Sequence, residues 1–539
     1  MFSYNRSRRC PWTFIAFLFV AFLIWHTRPS EKLQNFSPKH LAGFLNRTIY
    51  ENLEIPINFR PSIPATTVTV TNTKTLTESC PVPTSKQVEN VPITKETSFD
   101  QQTVERLRQE EITVIFKTGA QEHSSLPIHL STTFQHFTPS DVLFFSDLAT
   151  TIGRFPIHDS LAKVSSSIRR THPDFQIYRD IQHFHATNQN LDLLKENPKL
   201  GDDRKGWVLD KYKFLHIIKE TWRLRPDKKW YVFMETDTYL FLPNLVQLLS
   251  GMDASRPYYF GSLVSYDDIP FAHGGSGYVL SAAAMHTLLD REPKHGHASG
   301  LANRLDVEME SYCCGDFVLA LALRNRGIEP MSMYPLLSGQ KPWTMAFGPE
   351  EMWCQAVVSM HHVLPMEASD LWRFEREREE RLGVSNGTTF SELYHHFVEP
   401  NLLVEKDNWD NLSHGPTFSA KILQSERIKT LKEEQRFKMA GEELRRKANM
   451  LNWTPVEMVS FKSFENCQMA CQARNDCFQF AFIDEYDEPT CRLGLNFRLG
   501  KYQPPKKGRK VMWKSGWMKQ KIMDWAQENP CREVGWNGE

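Results

Sequence analysis

From about residue 110 the chain alternates short apolar runs with longer helical stretches, and this alternation restricts the fold more than any other feature. "EITVIFKTGA", "DVLFFSDLA", "FQIYRDI", "KWYVFMETDTYLF" and "RPYYFGSLV" read as strands, being rich in β-branched and aromatic residues. "TFQHF" and "LDKYKFLHIIKETWRL" read as helices between them. Strands alternating with helices predict an α/β domain on a largely parallel sheet. Ligands of such sheets bind beyond the carboxyl ends of the strands.

One strand contains an anomaly. In "WYVFMETDTYLF", residues 230–241, Glu235 and Asp237 interrupt an otherwise apolar run. Burying an unpaired carboxylate is costly or forces its protonation, so this pair requires a positive partner.

At 539 residues the chain is too long for one ordinary domain. A formal net charge of zero argues against nucleic-acid binding, whose footprint is a basic excess. Arg6, Arg8 and Arg9 precede an uncharged apolar run from Trp12 to Trp25. At roughly 1.5 Å per residue this run spans about 21 Å, short of the roughly 30 Å hydrocarbon core. A cleaved signal peptide is one reading. "HTRPSEK" after the run lacks a small-x-small cleavage site, and the flanking tryptophans suit a membrane interface. The expectation is therefore a cytosolic tail (1–11), an uncleaved signal anchor (12–27) and a lumenal remainder. Residues 28–108, with "PSIPATTVTVTNTKTLTESCPVPTSK", read as a Ser/Thr/Pro-rich stem. Residues 401–454 read as a charged helical linker.

Ten cysteines fit an oxidising compartment. With Cys10 on the cytosolic side, nine remain beyond the membrane, so at least one is free or paired between chains. Five Asn-x-Ser/Thr sequons begin at Asn35, Asn46, Asn386, Asn411 and Asn452, about what chance provides. Cys467, Cys471, Cys477 and Cys491 fall in a C-x3-C-x5-C-x13-C run without an intervening histidine, which is disulfide rather than zinc spacing. Over 455–539 this order resembles the apple/PAN module, a small helix-on-sheet α+β fold that binds proteins or carbohydrate. "SGW" at Ser515–Trp517 and the late Cys531 match its closing strand and tail.

Four stretches carry candidate chemistry: "METDTYLFLPNL", "FAHGGSGYVLS" (271–281), "CCGDFVLALALRNRGI" (313–328) and "VVSMHHV" (357–363). In this order they resemble the inverting glycosyltransferases of family 31, particularly fringe and core 1 β1,3-galactosyltransferase. That family carries an Asp-x-Asp metal motif, a "GGAGY"-like turn, an acid at a helix start and a late histidine. The chain departs from it at Glu235, which stands at the first acid.

The resemblance implies a GT-A-like (Rossmann-type) catalytic domain over 109–400 that uses Mn2+ or Mg2+ and a UDP-sugar. Asp237 and His361 would be metal ligands, with His362 as the fallback for His361. Glu235 would contact the ribose, or the metal through water. Gly274, Gly275 and Gly277 would form a tight pocket wall. Asp316 would be the general base, although an Asp at a helix start is equally an ordinary N-cap. Lys117, Thr118 and Asp147 at strand ends would surround the nucleoside, with Lys211 and Lys213 reaching the diphosphate. Cys313 and Cys314 would form structural disulfides, with Cys354 a candidate partner.

The implied activity is transfer of a sugar, galactose onto N-acetylgalactosamine in the nearest matches, to a glycoprotein or glycan by a type II Golgi enzyme. Other family-31-like transfers (N-acetylglucosaminyl or glucosyl) and a non-catalytic carbohydrate-binding lumenal protein are the alternatives.

Overall fold

Strand β1 (Ile112–Lys117) is buried along its whole length, as expected of a continuous apolar run covered on both faces. It pairs in parallel with β2 (Val142–Ser146) and β5 (Trp230–Glu235). With β3 (Thr150–Ile152), β4 (Phe155–Asp159), β7 (Tyr259–Gly261), β10 (Tyr278–Ser281) and β11 (Met331–Ser332) they form an eight-stranded sheet in the order β11-β7-β10-β5-β1-β2-β4-β3. Four neighbouring pairs are parallel and three antiparallel. Alternate side chains feed opposite cores. Ile115, Phe145, Tyr231 and Phe233 lie in one, and Val114, Phe116, Phe144 and Val232 in the other. The α/β class read from the alternation is what the chain adopts.

The computed structural model describes residues 98–196, 203–289, 301–349, 351–382, 387–422, 453–486, 488–505 and 511–538. The expected anchor at 12–27, the "TTVTVTNT" stretch and the charged run at 425–450 lie outside them. Among the described residues no helix is long and apolar enough to cross a membrane. Residues Glu96–Glu539 form one compact unit.

Several local readings are corrected. Helix α1 (Phe99–Gln109) occupies the end of the expected stem, with the Ser98 hydroxyl capping it and Val104 and Leu107 buried. "TFQHF" lies in turns that follow helix α2 (Leu126–Ser131). "FQIYRDI" is not a strand. It enters helix α3 (Gln176–Ala186), because Ile177, Tyr178 and Ile181 fall on one helical face and are buried together. "LDKYKFLHIIKETWRL" divides into the end of α4 (Asp203–Asp210) and all of α5 (Lys213–Leu224).

The C-terminal region departs from an autonomous module. Its sheet runs β13-β19-β16-β17-β15. Strands β16 (Gln479–Glu485), β17 (Glu488–Gly494) and β19 (Val511–Trp517) come from the expected module. By contrast β13 (Glu405–Asp407) and β15 (Thr417–Ser419) come from the stretch read as a charged linker. Helix α8 (Phe464–Gln472) is tied to this sheet by Cys467–Cys491, and Cys471–Cys477 closes the turn after it. Phe478, Phe497, Trp517 and Ile522 share a core with Tyr239, Phe347, Trp353 and Tyr394. A boundary at residue 455 therefore cuts through both a sheet and a core.

Cysteine pairing also differs. Cys354 bonds to Cys531 across 177 residues of sequence, while Cys313 and Cys314 bond to each other. Cys354 meets the C-terminal tail because Ala356 N–H donates to Gly535 and Gly535 N–H to the Cys354 carbonyl. Of the sequons, Asn411 is fully buried, and its amide donates to the Phe480 and Gly516 carbonyls, so it is not a glycan acceptor in the folded chain. The charged "RFEREREERLG" stretch falls mostly in α7 (Pro365–Leu382), which packs on the domain through Leu371, Phe374 and Glu375. Tyr239 donates to Glu375, whose carboxyl burial pushes up to about 7.

Removing residues 455–539 exposes Phe347, Trp353 and Tyr394, so this truncation is expected to give no soluble folded fragment. Cys531→Ser is expected to fold and to lose roughly 2–5 kcal/mol, the usual cost of a native disulfide in a secreted domain. Denaturant unfolding of both proteins checks this. A truncated chain that melts cooperatively would restore the two-domain description.

Candidate functional site

The parallel register of the central strands decides what meets at their carboxyl ends. Lys117 stands opposite Glu235 on β5 and Phe145 on β2. Lys117 Nζ pairs with Asp210 and, at 3.0 Å, with Glu235, and lies 4.5 Å above the Phe214 ring. Burial opposes its charge, but the two carboxylates outweigh it and hold the ammonium above the ordinary lysine value. Lys213 is 3.4 Å from Asp147 and 3.2 Å from Asp210, and it donates to the Thr118 carbonyl at 3.1 Å. Lys211 reaches Asp174 at 3.1 Å.

The predicted basic and polar residues thus come together, but each of these three lysines is already matched by a carboxylate. A phosphate entering here meets compensated charge, not a bare cationic patch.

The second group arises where β6 (Tyr239–Leu240) pairs antiparallel with β12 (Ser359–Met360). Tyr239 opposite Met360 brings the turn before β6 against the residues after β12, and Val363 N–H closes it on the Asp237 carbonyl at 2.9 Å. His361 Nε2 lies 3.2 Å from one Asp237 oxygen and His362 Nδ1 3.5 Å from the other. His362 adopts φ +60°, a conformation uncommon for a side-chain-bearing residue, and this turns its ring to the same carboxylate. Burial works against the Asp237 charge, and the two imidazoles outweigh it to keep the carboxyl below its ordinary value.

Asp237, His361 and His362 offer ligand atoms within 4.8 Å of one another, and no other such group occurs among the described residues. Glu235 is not part of it. Its carboxylate is taken by Lys117, and burial raises its pKa. His362, kept as a fallback, instead stands beside His361.

A carboxylate oxygen with imidazole nitrogens suits a divalent manganese-type cation. Gly275 is fitted to that arrangement, since a Cβ there would lie 2.3 Å from the His361 ring. The residues present therefore fit the implied metal, which Asp237 and His361 would hold, with His362 in reach.

Asp316 joins the glycine turn to a helix. In α6 (Gly315–Arg324) the N-cap is Cys314, and Asp316 sits one residue inside the first turn, so it is not the cap. One of its oxygens accepts from Gly274 N–H and the other from Phe317 N–H, both at 2.9 Å. Gly277 has φ +81° and Gly274 has no room for a Cβ beside Glu235 and Phe214, so the turn requires glycine at both. Thr238 Oγ1 fixes the turn by donating to the Gly275 carbonyl at 2.8 Å. Gly327, at φ +79°, ends the α6 region as a left-handed residue.

A cleft of about 750 Å³ is lined by Lys117, Thr118, Asp147, Lys211, Lys213, Glu235, Asp237, Gly275, Asp316, His361 and His362. Gly274 and Gly277 belong to the same turn as Gly275 and are not among the lining residues. Sequence reasoning missed Asp210, Glu122, Phe214 and His273 in the same cleft. Asp210 was signalled by its position three residues before Lys213. Glu122, in a 3-10 turn beyond β1, accepts from Thr236 Oγ1 at 3.0 Å, a pairing of residues far apart in sequence that has no sequence signature. No family model matches the chain.

Gly275→Ala places a methyl group in the space of the His361 ring and is expected to weaken Mn2+ binding roughly 10–100-fold, the scale seen when a ligand's support is disturbed. Calorimetric Mn2+ titration checks it. Unchanged affinity would remove His361 from the metal group.

Proposed function

We propose that the chain is an inverting, metal-dependent glycosyltransferase with a GT-A-like catalytic domain, similar to family 31. In this reading it moves a sugar, galactose in the first instance, from a UDP donor to a hydroxyl of a glycoprotein or glycan such as N-acetylgalactosamine. The observation that carries the reading is the meeting of Asp237, His361 and Asp316 in one cleft with the Lys117–Glu235 and Lys213–Asp147 pairs. The C-terminal helix-on-sheet region, with its two local disulfides, supports an apple/PAN-like reading. Four disulfides among the described residues support a lumenal, oxidising setting such as the Golgi.

A divalent cation bound at Asp237 and His361 would supply Lewis-acid neutralisation of the diphosphate leaving group. The chain's own residues do the rest. Lys213 and Lys117 pair with Asp147, Asp210 and Glu235 and hold their carboxyl oxygens in place as acceptors suited to ribose hydroxyls and the uracil N–H. Asp316 takes the proton from the acceptor hydroxyl as its oxygen attacks the anomeric carbon. The bond to the diphosphate oxygen breaks on the opposite face, and configuration inverts. A carboxylate has about four lone-pair sites, and the two backbone N–H donors leave the remainder for that proton.

Donor profiling tests the reading. With Mn2+ present, the chain is expected to release UDP from one UDP-hexose in strong preference to others. Asp316→Asn is expected to lower turnover by roughly two to four orders of magnitude, the scale of a general base, with UDP affinity retained. Turnover, UDP affinity and thermal stability are measured on the same preparation. Turnover close to wild type would leave Asp316 only its role of joining the glycine turn to α6.

A further inference from the structure

His273 has no role in this scheme, yet it lies between the scheme's two working groups. It directly follows β9 (Ile269–Ala272), which pairs with β8 (Leu263–Tyr266), and its backbone N–H donates to Ser262 at 2.9 Å. The next residue, Gly274, donates its own N–H to Asp316. On the other side, the His273 ring is 5.3 Å from the His361 ring in an edge-on arrangement. His273 therefore connects the base to the metal group, and it lines the cleft.

The state of the ring follows from its contacts. Nδ1 lies 2.8 Å from Ser276 Oγ and 3.3 Å from Ser276 N. A backbone N–H only donates, so Nδ1 accepts, and the ring proton resides on Nε2. Among the described residues, Nε2 takes no hydrogen bond within the protein. It also lies outside the Asp237, His361 and His362 group. A ring locked at one nitrogen therefore presents an N–H donor to the cleft from its other nitrogen.

What this donor meets is fixed by the geometry of the reaction, given the nucleotide-sugar reading on which this inference rests. The anomeric carbon bonds first to the diphosphate oxygen and then to the acceptor oxygen. The transferred ring must therefore occupy the space between the metal group and Asp316. We propose that His273 Nε2–H donates to a ring hydroxyl of the transferred hexose, making His273 a specificity-determining residue for the donor sugar.

The test compares wild type, His273→Ala and His273→Gln, whose side-chain amide restores an N–H donor near the Nε2 position. For each, calorimetry with Mn2+ gives the affinity for UDP. Kinetics give kcat and KM for the preferred UDP-hexose and for its C4 epimer. Expected for His273→Ala are UDP affinity within about twofold of wild type, kcat/KM for the preferred donor lowered roughly 10–100-fold, and a reduced preference over the epimer. That loss is the scale of one hydrogen bond to substrate. His273→Gln is expected to recover most of it. If His273→Ala does not fold, His273→Asn, whose amide falls short of the Nε2 position, replaces it as the variant lacking the donor.

Equal losses of UDP and UDP-hexose binding would overturn the proposal in favour of a structural role, as would an unchanged preference. Wild type that binds no UDP with Mn2+ would overturn the nucleotide-sugar reading itself, which a wild type that binds UDP keeps separate from the role of His273.

Discussion

The site depends on the pairing of β1 with β5 that sets Lys117 opposite Glu235. A one-residue slip in that register would turn every side chain on one strand to the opposite face. Both cores would be disrupted, and Lys117 would lose its partner. Three buried lysines and several carboxylates are held around the strand ends only because each neutralises another. Breaking such a pair from one side strands a buried charge, which typically costs about 3–5 kcal/mol. The charges therefore stabilise the strand-end geometry collectively, and they leave the cleft polar without a net cationic patch.

A second constraint links Asp316 to the Asp237–His361 group. The glycine turn at 274–277 touches three elements at once: Gly274 holds Asp316, Gly275 makes room for His361, and Gly277 lies 3.2 Å from the Phe233 carbonyl when given a Cβ. Ser359 Oγ donates to the Ser276 carbonyl, joining the turn to β12 just before the histidines. Asp316 and the Asp237–His361–His362 group are positioned by one backbone segment, so a disturbance to that segment reaches both. Behind β6, Tyr239 and Phe241 belong to the core shared with the C-terminal sheet. The C-terminal region supports β6 by packing and contributes no residue to the cleft.

The central strands were legible because a buried strand must be apolar and β-rich, and 112–117, 142–146 and 230–235 are both. Asp237, Asp316 and His361 were legible because a charged or ligating residue at an element's end stands out against its apolar neighbours. "FQIYRDI" misled because seven residues suit either periodicity, and the longer helical pattern through Ala186 decides it. Glu235 misled because sequence proximity to Asp237 does not reveal Lys117, more than a hundred residues earlier. The pairing of Cys354 with Cys531 and the recruitment of residues 405–407 and 417–419 into the C-terminal sheet are long-range contacts. No local propensity encodes them. His273 was hidden inside a motif whose glycines drew attention, and its significance rests on the bond from Ser276.

The central claim is that Asp237 and His361 hold a divalent cation that binds a nucleotide diphosphate. Pulsed electron paramagnetic resonance of Mn2+ bound to the chain, with and without UDP, addresses it most directly. The account predicts nitrogen modulation from a bound imidazole, diminished in His361→Ala, and phosphorus coupling that emerges when UDP is added. Bound Mn2+ without nitrogen modulation, or UDP binding without phosphorus coupling, would contradict it.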